Sequence, residues 1–285
     1  MELYNLAEIR PLLERHGFHF SKSKGQNFLI REWVPKKIAA VSGADESCGV
    51  LEIGPGIGVL TRELSCAAKK VCCVELDRSL LPVLAETMAD RDNVRVVNAD
   101  ILKLDIPSLI DSEFSGLVPC VCANLPYNIT TPVLRMLLEL ERFQRITVMI
   151  QKEVAQRICA KPGTPEYGAF SLLCAFYAKP RICFDVTPDC FYPQPKVTST
   201  VITLEKAEPP AALQDKELLF SITRAAFSQR RKTLGNALTP LFQGKLTKEQ
   251  LLETIHDAGF DERVRGEVLG MNDYVNLSNL FKDRI

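Results

Sequence analysis

Residues 50–61 read "VLEIGPGIGVLT". A short apolar run ends in three glycines, Gly54, Gly56 and Gly58, and then gives way to a helix-forming segment. This is a strand, a tight turn and a helix start. Glycine lets the backbone approach a ligand closely. In open α/β sheets ligands bind outside the carboxyl ends of the strands. A plain strand-to-helix turn would use the same residues, so the neighbouring segments decide between the two.

Outward from this unit the pattern repeats. "GVLEI" (49–53) precedes the helical "GIGVLTRELSCAA", and "KVCCVE" (70–75) precedes "RSLLPVLAETMAD". "VRVVNAD" (94–100), "VPCVCA" (118–123) and "RITVMIQ" (145–151) continue the series, with helical stretches at "TPVLRMLLELE" and "KEVAQRIC". "RICFDVT" (181–187) and "TSTVITLE" (198–205) close it, preceded by "YGAFSLLCAFYA", read as a helix. Such alternation predicts βαβ units in a mostly parallel, doubly wound sheet. The last two strands, joined by a loop alone, are expected to pair antiparallel. "KAEPPAALQD" (206–215) reads as a linker, and only helical patterns follow. The expected organisation is a main α/β domain at 1–205, with 1–48 covering the cofactor, a linker at 206–215 and a small all-α domain at 216–285.

Glu75 ends the second strand about 20 residues after the glycines, where an acid can accept hydrogen bonds from ribose hydroxyls. Asp100 is expected to end the third strand. The dinucleotide fingerprint wants glycine or alanine where Val59 stands, which argues against a nicotinamide cofactor. Strand-end acids at Glu52, Glu75 and Asp100 favour S-adenosylmethionine, which carries no phosphate.

The fourth strand runs into "NLPY", Asn124–Tyr127. The Asn124 side-chain oxygen and the Leu125 carbonyl are acceptors for the two hydrogens of an exocyclic amine. Pro126 fixes the turn, and Tyr127 offers a face for a base. A turn with a packed tyrosine is the plain alternative.

In this order the motifs resemble the rRNA adenine N6,N6-dimethyltransferase family. The likeness also includes "SKSKGQNFL" (21–29), "VELD" (74–77), "NAD" (98–100), "FYPQPKVTSTVI" (191–202) and "RAAFSQRRKTLGNAL" (224–238), and it covers nearly the whole chain. The resemblance implies a Rossmann-like class I methyltransferase using S-adenosylmethionine. Asn27, Leu29, Gly54, Glu75, Asp100 and Asn124 would line the cofactor site, and Phe191 would be a second stacking ring. The small-subunit branch is the nearest. It implies dimethylation of two adjacent adenosines near the 3′ end of 16S rRNA in the pre-30S particle. A 23S rRNA methylase conferring drug resistance and a non-catalytic ribosome-assembly factor remain open; relatives of the former usually carry Ile where Leu125 stands.

Bulk features agree. Net charge is zero, yet Leu218–Lys248 holds Arg224, Arg230, Arg231, Lys232, Lys245 and Lys248 and no acid. A second cluster comprises Lys22, Lys24, Arg31, Lys36 and Lys37. Segregated cations can hold a polyanion locally, or they are simply solvated faces. Arg224, Arg230, Arg231 and Lys232 are the expected RNA contacts. The ten cysteines lack C-x-x-C spacing and sit in apolar runs, so reduced, buried thiols are expected and no metal site. Without a membrane-length apolar run or a secretory leader, the expectation is a cytoplasmic protein, and with no extra apolar helix face evident, a monomer.

Overall fold

The computed structural model describes residues 2–18 and 26–285. Lys22, Lys24 and most of "SKSKGQNFL" lie outside the described residues. Helix α1 (Leu6–Arg15) is followed by the short strand β1 (Phe28–Leu29) and α2 (Trp33–Ser42). Strand–helix repeats come next: β2 (Cys48–Ile53) with α3 (Val59–Ala67), and β3 (Lys70–Glu75) with α4 (Leu81–Thr87). They continue as β4 (Val94–Asn98) with α5 (Ile106–Glu113), β5 (Val118–Asn124) with α6 (Thr130–Glu139), and β6 (Arg145–Gln151) with α7 (Lys152–Ile158). Then come α8 (Ala169–Tyr177), β7 (Ala178–Val186), β8 (Phe191–Tyr192) and β9 (Ser199–Lys206). Helices α9 (Lys216–Ser228), α10 (Leu234–Phe242), α11 (Lys248–Asp257) and α12 (Met271–Lys282) complete the chain.

Seven strands form one sheet in the order β4-β3-β2-β5-β6-β9-β7. β4, β3, β2, β5 and β6 are mutually parallel, and β9 runs antiparallel to β6. Side-chain contacts Asp185–Thr200 and Cys183–Thr203 step in opposite directions along β7 and β9, the antiparallel sense expected of the last pair. Every residue of β2 is buried, because helices cover both faces of a parallel sheet, and its sequence is accordingly a continuous apolar run broken only by Glu52. Chain order reverses between β2 and β5, which sit side by side. The crevice of a doubly wound sheet opens at such a reversal. β1 and β8 form a separate antiparallel ribbon that pairs Phe28 with Tyr192 and Leu29 with Phe191.

By its own contacts the chain divides into Met1–Ala155 with Pro180–Lys206, and Gln156–Lys179 with Ala207–Ile285. The second unit thus takes in residues 156–179, which the sequence reading placed in 1–205. The reason is packing. The Phe176 ring of α8 meets Phe220 of α9 edge-on at 5.1 Å, and the Tyr167 hydroxyl donates to the Leu269 carbonyl at 2.9 Å. Within that unit Phe242 stacks on Phe281 at 4.3 Å. The segment "KELLFSITRAAFSQRRKTLGNAL" is two helices, α9 and α10, with residues 229–233 between them. Arg230, Arg231 and Lys232 stand exposed in that turn. Three consecutive cations have no apolar face to bury, and Thr233, with extended dihedrals, starts the next helix.

The ten cysteines are free thiols, with Cys48, Cys72, Cys73, Cys120, Cys122, Cys174 and Cys190 buried. Among the described residues no helix is long and apolar enough to cross a membrane, and no cluster of His, Cys, Asp and Glu could hold a metal ion.

Candidate active site

A cleft of about 290 Å³ opens at the carboxyl ends of β2, β3, β4 and β5. Asn27, Leu29, Gly54, Glu75, Asp100, Asn124, Leu125, Pro126 and Tyr127 all border it. The structure therefore brings together all but one of the residues expected at the catalytic and cofactor sites. Phe191 is the exception. Its ring is 1% exposed and lies in the core cluster with Leu29 and Phe28. Pairing of β8 with β1 carries Phe191 inward, so in this structure Tyr127 is the aromatic ring of the NLPY face at the cleft.

The glycine turn is built by backbone conformation. Gly54 has φ +69° and Gly58 φ +89°, in the left-handed region that side chains other than glycine adopt at a cost. A Cβ on Gly58 would lie 2.7 Å from Met88 Cε, the far end of a flexible side chain, so it is the positive φ rather than this contact that selects glycine there. A Cβ on Gly54 would lie 3.6 Å from Pro126 Cδ, which shows how closely the glycine turn abuts the NLPY turn.

Glu75 ends β3 as expected, is 6% exposed and points its carboxylate into the turn. One oxygen accepts the Asp77 N–H at 2.7 Å and the other the Gly56 N–H at 3.4 Å. Burial pushes its carboxyl above the usual range, partly offset by these amides. A buried carboxylate with spare acceptor capacity is matched by a ligand presenting hydroxyl donors. Asp100 lies two residues beyond β4 rather than at its end, because the strand stops at Asn98, whose side chain donates to the Glu75 carbonyl at 2.8 Å. One Asp100 oxygen accepts the Leu102 N–H at 3.0 Å, and its neighbour Lys103 is 3.7 Å from the other. Glu52 is fully buried beneath the turn. Burial pushes its carboxyl up to about 7, against the opposing hydrogen bonds of Thr61 and Cys73.

At the other wall, the Leu125 N–H donates to the Met149 carbonyl at 3.2 Å, which ties the turn to β6. The Pro126 carbonyl accepts both the Ile129 N–H and the Thr130 hydroxyl at 3.2 Å. Among the described residues, the Asn124 side chain and the Leu125 carbonyl have no hydrogen-bond partner. Tyr127 is anchored at its far end, its hydroxyl 2.7 Å from Ser199 Oγ. Burial raises its phenol, and the Ser199 bond partly offsets this.

Reading the sequence missed Gln26, Leu76 and Asp77, which also border the cleft. Gln26 Nε2 donates to Asp77 Oδ2 at 2.7 Å, closing the rim beside Glu75. The acid of "VELD" was a visible signal for Asp77; Gln26 carried none. In the helical unit Arg224, Arg230, Arg231 and Lys232 are all exposed, but Arg230 is engaged by Glu267 at 3.1 Å and by the Pro165 carbonyl at 3.0 Å.

Residues 17–282 match the model of the ribosomal RNA adenine dimethylase family. The chain is 44% identical over 274 residues to "Ribosomal RNA small subunit methyltransferase A" of Geobacillus thermodenitrificans, spanning 95% of this chain and 94% of that one. It is 45% identical over 278 residues to the protein of the same name from Alkaliphilus metalliredigens, 95% of each chain being covered. Among solved structures it is similar to a dimethyladenosine transferase from Plasmodium falciparum, with TM-score 0.75 and 25% identity over 90% of this chain and 98% of that one. It is also similar to the 23S rRNA methyltransferase ErmE, with TM-score 0.69 and 25% identity over 90% of this chain and all of the other. A class I methyltransferase sheet, a cleft that fits S-adenosylmethionine and an NLPY turn at its edge thus sit in a chain that belongs to the ribosomal RNA adenine dimethylase family.

Proposed function

We infer that this protein transfers methyl groups from S-adenosylmethionine to the N6 amine of adenosines in small-subunit ribosomal RNA, two per adenosine. The carrying observation is the pair of unengaged acceptors, Asn124 Oδ1 and the Leu125 carbonyl, beside the Tyr127 ring at the mouth of the cleft. Glu75 would hold the ribose hydroxyls and Asp100 the adenine amine of the cofactor. Gly54, Asn27 and Leu29 would flank its remaining parts. When bound, S-adenosylmethionine supplies an electrophilic methyl group.

The residues of this chain do the rest by position. Tyr127 stacks the target base. Stacking on an aromatic contributes roughly 1–3 kcal/mol per base, enough to offset much of the few kcal/mol that extruding a base costs. Asn124 Oδ1 and the Leu125 carbonyl accept the two amine hydrogens, which draws the nitrogen lone pair out of conjugation with the ring. The same acceptors stabilise the positive charge that grows on nitrogen. The proton leaves after the N–C bond has formed, when the nitrogen is acidic, so no strong base is needed.

We further propose that the substrate is an adjacent adenosine pair near the 3′ end of 16S rRNA in an assembling pre-30S subunit, and that the protein acts as a cytoplasmic monomer. Exposed Arg224, Arg231 and Lys232 would contact phosphates. The small-subunit methyltransferase names of relatives at 41–45% identity favour this reading over the large-subunit one suggested by ErmE at 25%. The test is incubation with labelled S-adenosylmethionine and either immature small subunits or large subunits. Label in small-subunit RNA is expected; label confined to large-subunit RNA would overturn it.

A further inference from the structure

Of the basic cluster near the N-terminus, Arg31, Lys36 and Lys37 do not border the cleft, yet Lys37 is built into an aromatic patch. Helix α2 buries Val34, Pro35, Ile38, Ala39 and Ser42 against the sheet. Its outer stripe is Trp33, Lys36, Lys37 and Ala40. Trp33, the only tryptophan of the chain, is 46% exposed. Its ring lies 6.0 Å from that of Phe184 on β7, tilted by 50°. The Lys37 ammonium sits 4.4 Å from the Phe184 centroid and 5.8 Å from that of Trp33. Ile182, two residues before Phe184 on the same face of β7, is also 46% exposed. Lys36 is paired with Glu32, whereas Lys37 and the exposed Arg31 have no carboxylate partner among the described residues.

The patch stands at the catalytic end of the sheet. The Arg145 guanidinium, at the start of β6, donates to the Ser42 carbonyl at the end of α2 at 3.0 Å. The C-terminus of α2 therefore lies at the amino edge of the parallel strands, and Trp33, about 15 Å away along the helix, lies at their carboxyl edge with the cleft. On β7, Asp185 next to Phe184 bonds Thr200, near the start of β9, which faces the end of β6. From β5, which carries the NLPY turn, to β7 there are three inter-strand spacings, about 14 Å.

An exposed Trp33 ring backed by the half-buried Phe184, with a free cation across both, offers what a nucleic-acid base and its phosphate require, one for stacking and the other for charge. A half-exposed Trp33 beside cations without carboxylate partners suits a polyanion that also presents flat rings. We propose that Trp33, Phe184, Lys37 and Arg31 form a second RNA-contact site, on which a base of the strand flanking the target adenosine stacks. This rests on the RNA-methylating reading of the cleft and adds to it where the flanking strand is held.

Because Trp33 is the single tryptophan, its emission reports this patch alone. The protein is titrated with a short single-stranded RNA containing adjacent adenosines and, separately, with deproteinised small-subunit rRNA and with small subunits; methyl transfer is measured in parallel. Saturable quenching by the oligonucleotide and the deproteinised rRNA, with midpoints matching binding, is expected. Trp33→Ala should weaken RNA binding roughly 5- to 150-fold and Trp33→Phe should restore most of it, with cofactor affinity serving as the check on folding. If the RNA binds and is methylated while Trp33 emission and the Trp33→Ala affinity stay unchanged, the patch is not an RNA site. Emission that changes only with particles carrying ribosomal proteins overturns it in favour of a protein contact. If wild-type protein neither binds nor methylates RNA, the reading of the cleft falls, and the patch with it.

Discussion

The Tyr127 hydroxyl and Ser199 Oγ lie 2.7 Å apart, although 72 residues separate them in sequence. Ser199 is fully buried at the first position of β9 and there faces Gln151 at the end of β6. It therefore holds the ring of the NLPY turn from a rigid strand. Removing either hydroxyl should loosen the stacking face. Ser199→Ala and Tyr127→Phe are each expected to lower kcat by roughly five- to tenfold, the worth of about one hydrogen bond, with cofactor affinity unchanged. The double variant should be no worse than either single one. Additive losses in a double-mutant cycle would show that the bond does not position the ring.

Glu75 offers acceptor capacity that two backbone amides leave partly unused. Glu75→Gln keeps the shape and removes the charge. A rise in the Kd for S-adenosylmethionine of roughly tenfold to a hundredfold is expected from charge-assisted hydrogen bonds, measured by calorimetry. An unchanged Kd would separate Glu75 from the cofactor.

Glu52 gives the fold a pH dependence of definite sign. Burial raises its carboxyl from the ordinary 4.5 to about 7. Between these values the unfolded chain has ionised while the folded chain keeps its proton, so stability falls as pH rises through the window and is flat for this group above it. The full effect is about 3 kcal/mol. Glu52→Gln should therefore gain stability relative to the wild type on going from pH 4.5 to pH 8, as read by denaturant unfolding. A difference that does not vary with pH would contradict a protonated, buried Glu52.

The turn between α9 and α10 divides its cations. Arg230 is engaged by Glu267 and the Pro165 carbonyl, whereas Arg231 and Lys232 are exposed with no ion-pair partner among the described residues. The double change Arg231→Ala, Lys232→Ala is expected to weaken RNA binding at low salt and to reduce the slope of log K against log salt by about 2. Arg230→Ala should act mainly on the stability of the helical unit. A salt slope that shifts only with Arg230 would reverse these roles.

Much of the sheet was legible because its central strands are short apolar runs closed by a polar residue or a glycine, as at Ile53–Gly54, Glu75 and Asn124. The cofactor wall followed from the same punctuation. What stayed hidden were relations set by tertiary packing. Asp100 reads as a strand end, but Asn98 turns back to the Glu75 carbonyl and stops β4 early. Phe191 reads as an exposed ring beside two prolines, and pairing with Leu29 buries it. Residues 156–179 read as part of the α/β unit, yet Phe176 and Tyr167 have their partners among the C-terminal helices. The Tyr127–Ser199 bond left no local trace, since neither residue's neighbours in sequence specify the other.

The most direct measurement is mass spectrometry of nucleosides from small-subunit RNA after incubation with S-adenosylmethionine and either the wild-type protein or Asn124→Ala. The wild type should produce N6,N6-dimethyladenosine. The variant should bind the cofactor with near-normal affinity and produce the modified nucleoside ~100-fold more slowly or less, the scale for losing one preorganised contact to developing charge. Dimethyladenosine formed by Asn124→Ala at the wild-type rate would contradict the assignment of this turn as the holder of the target amine.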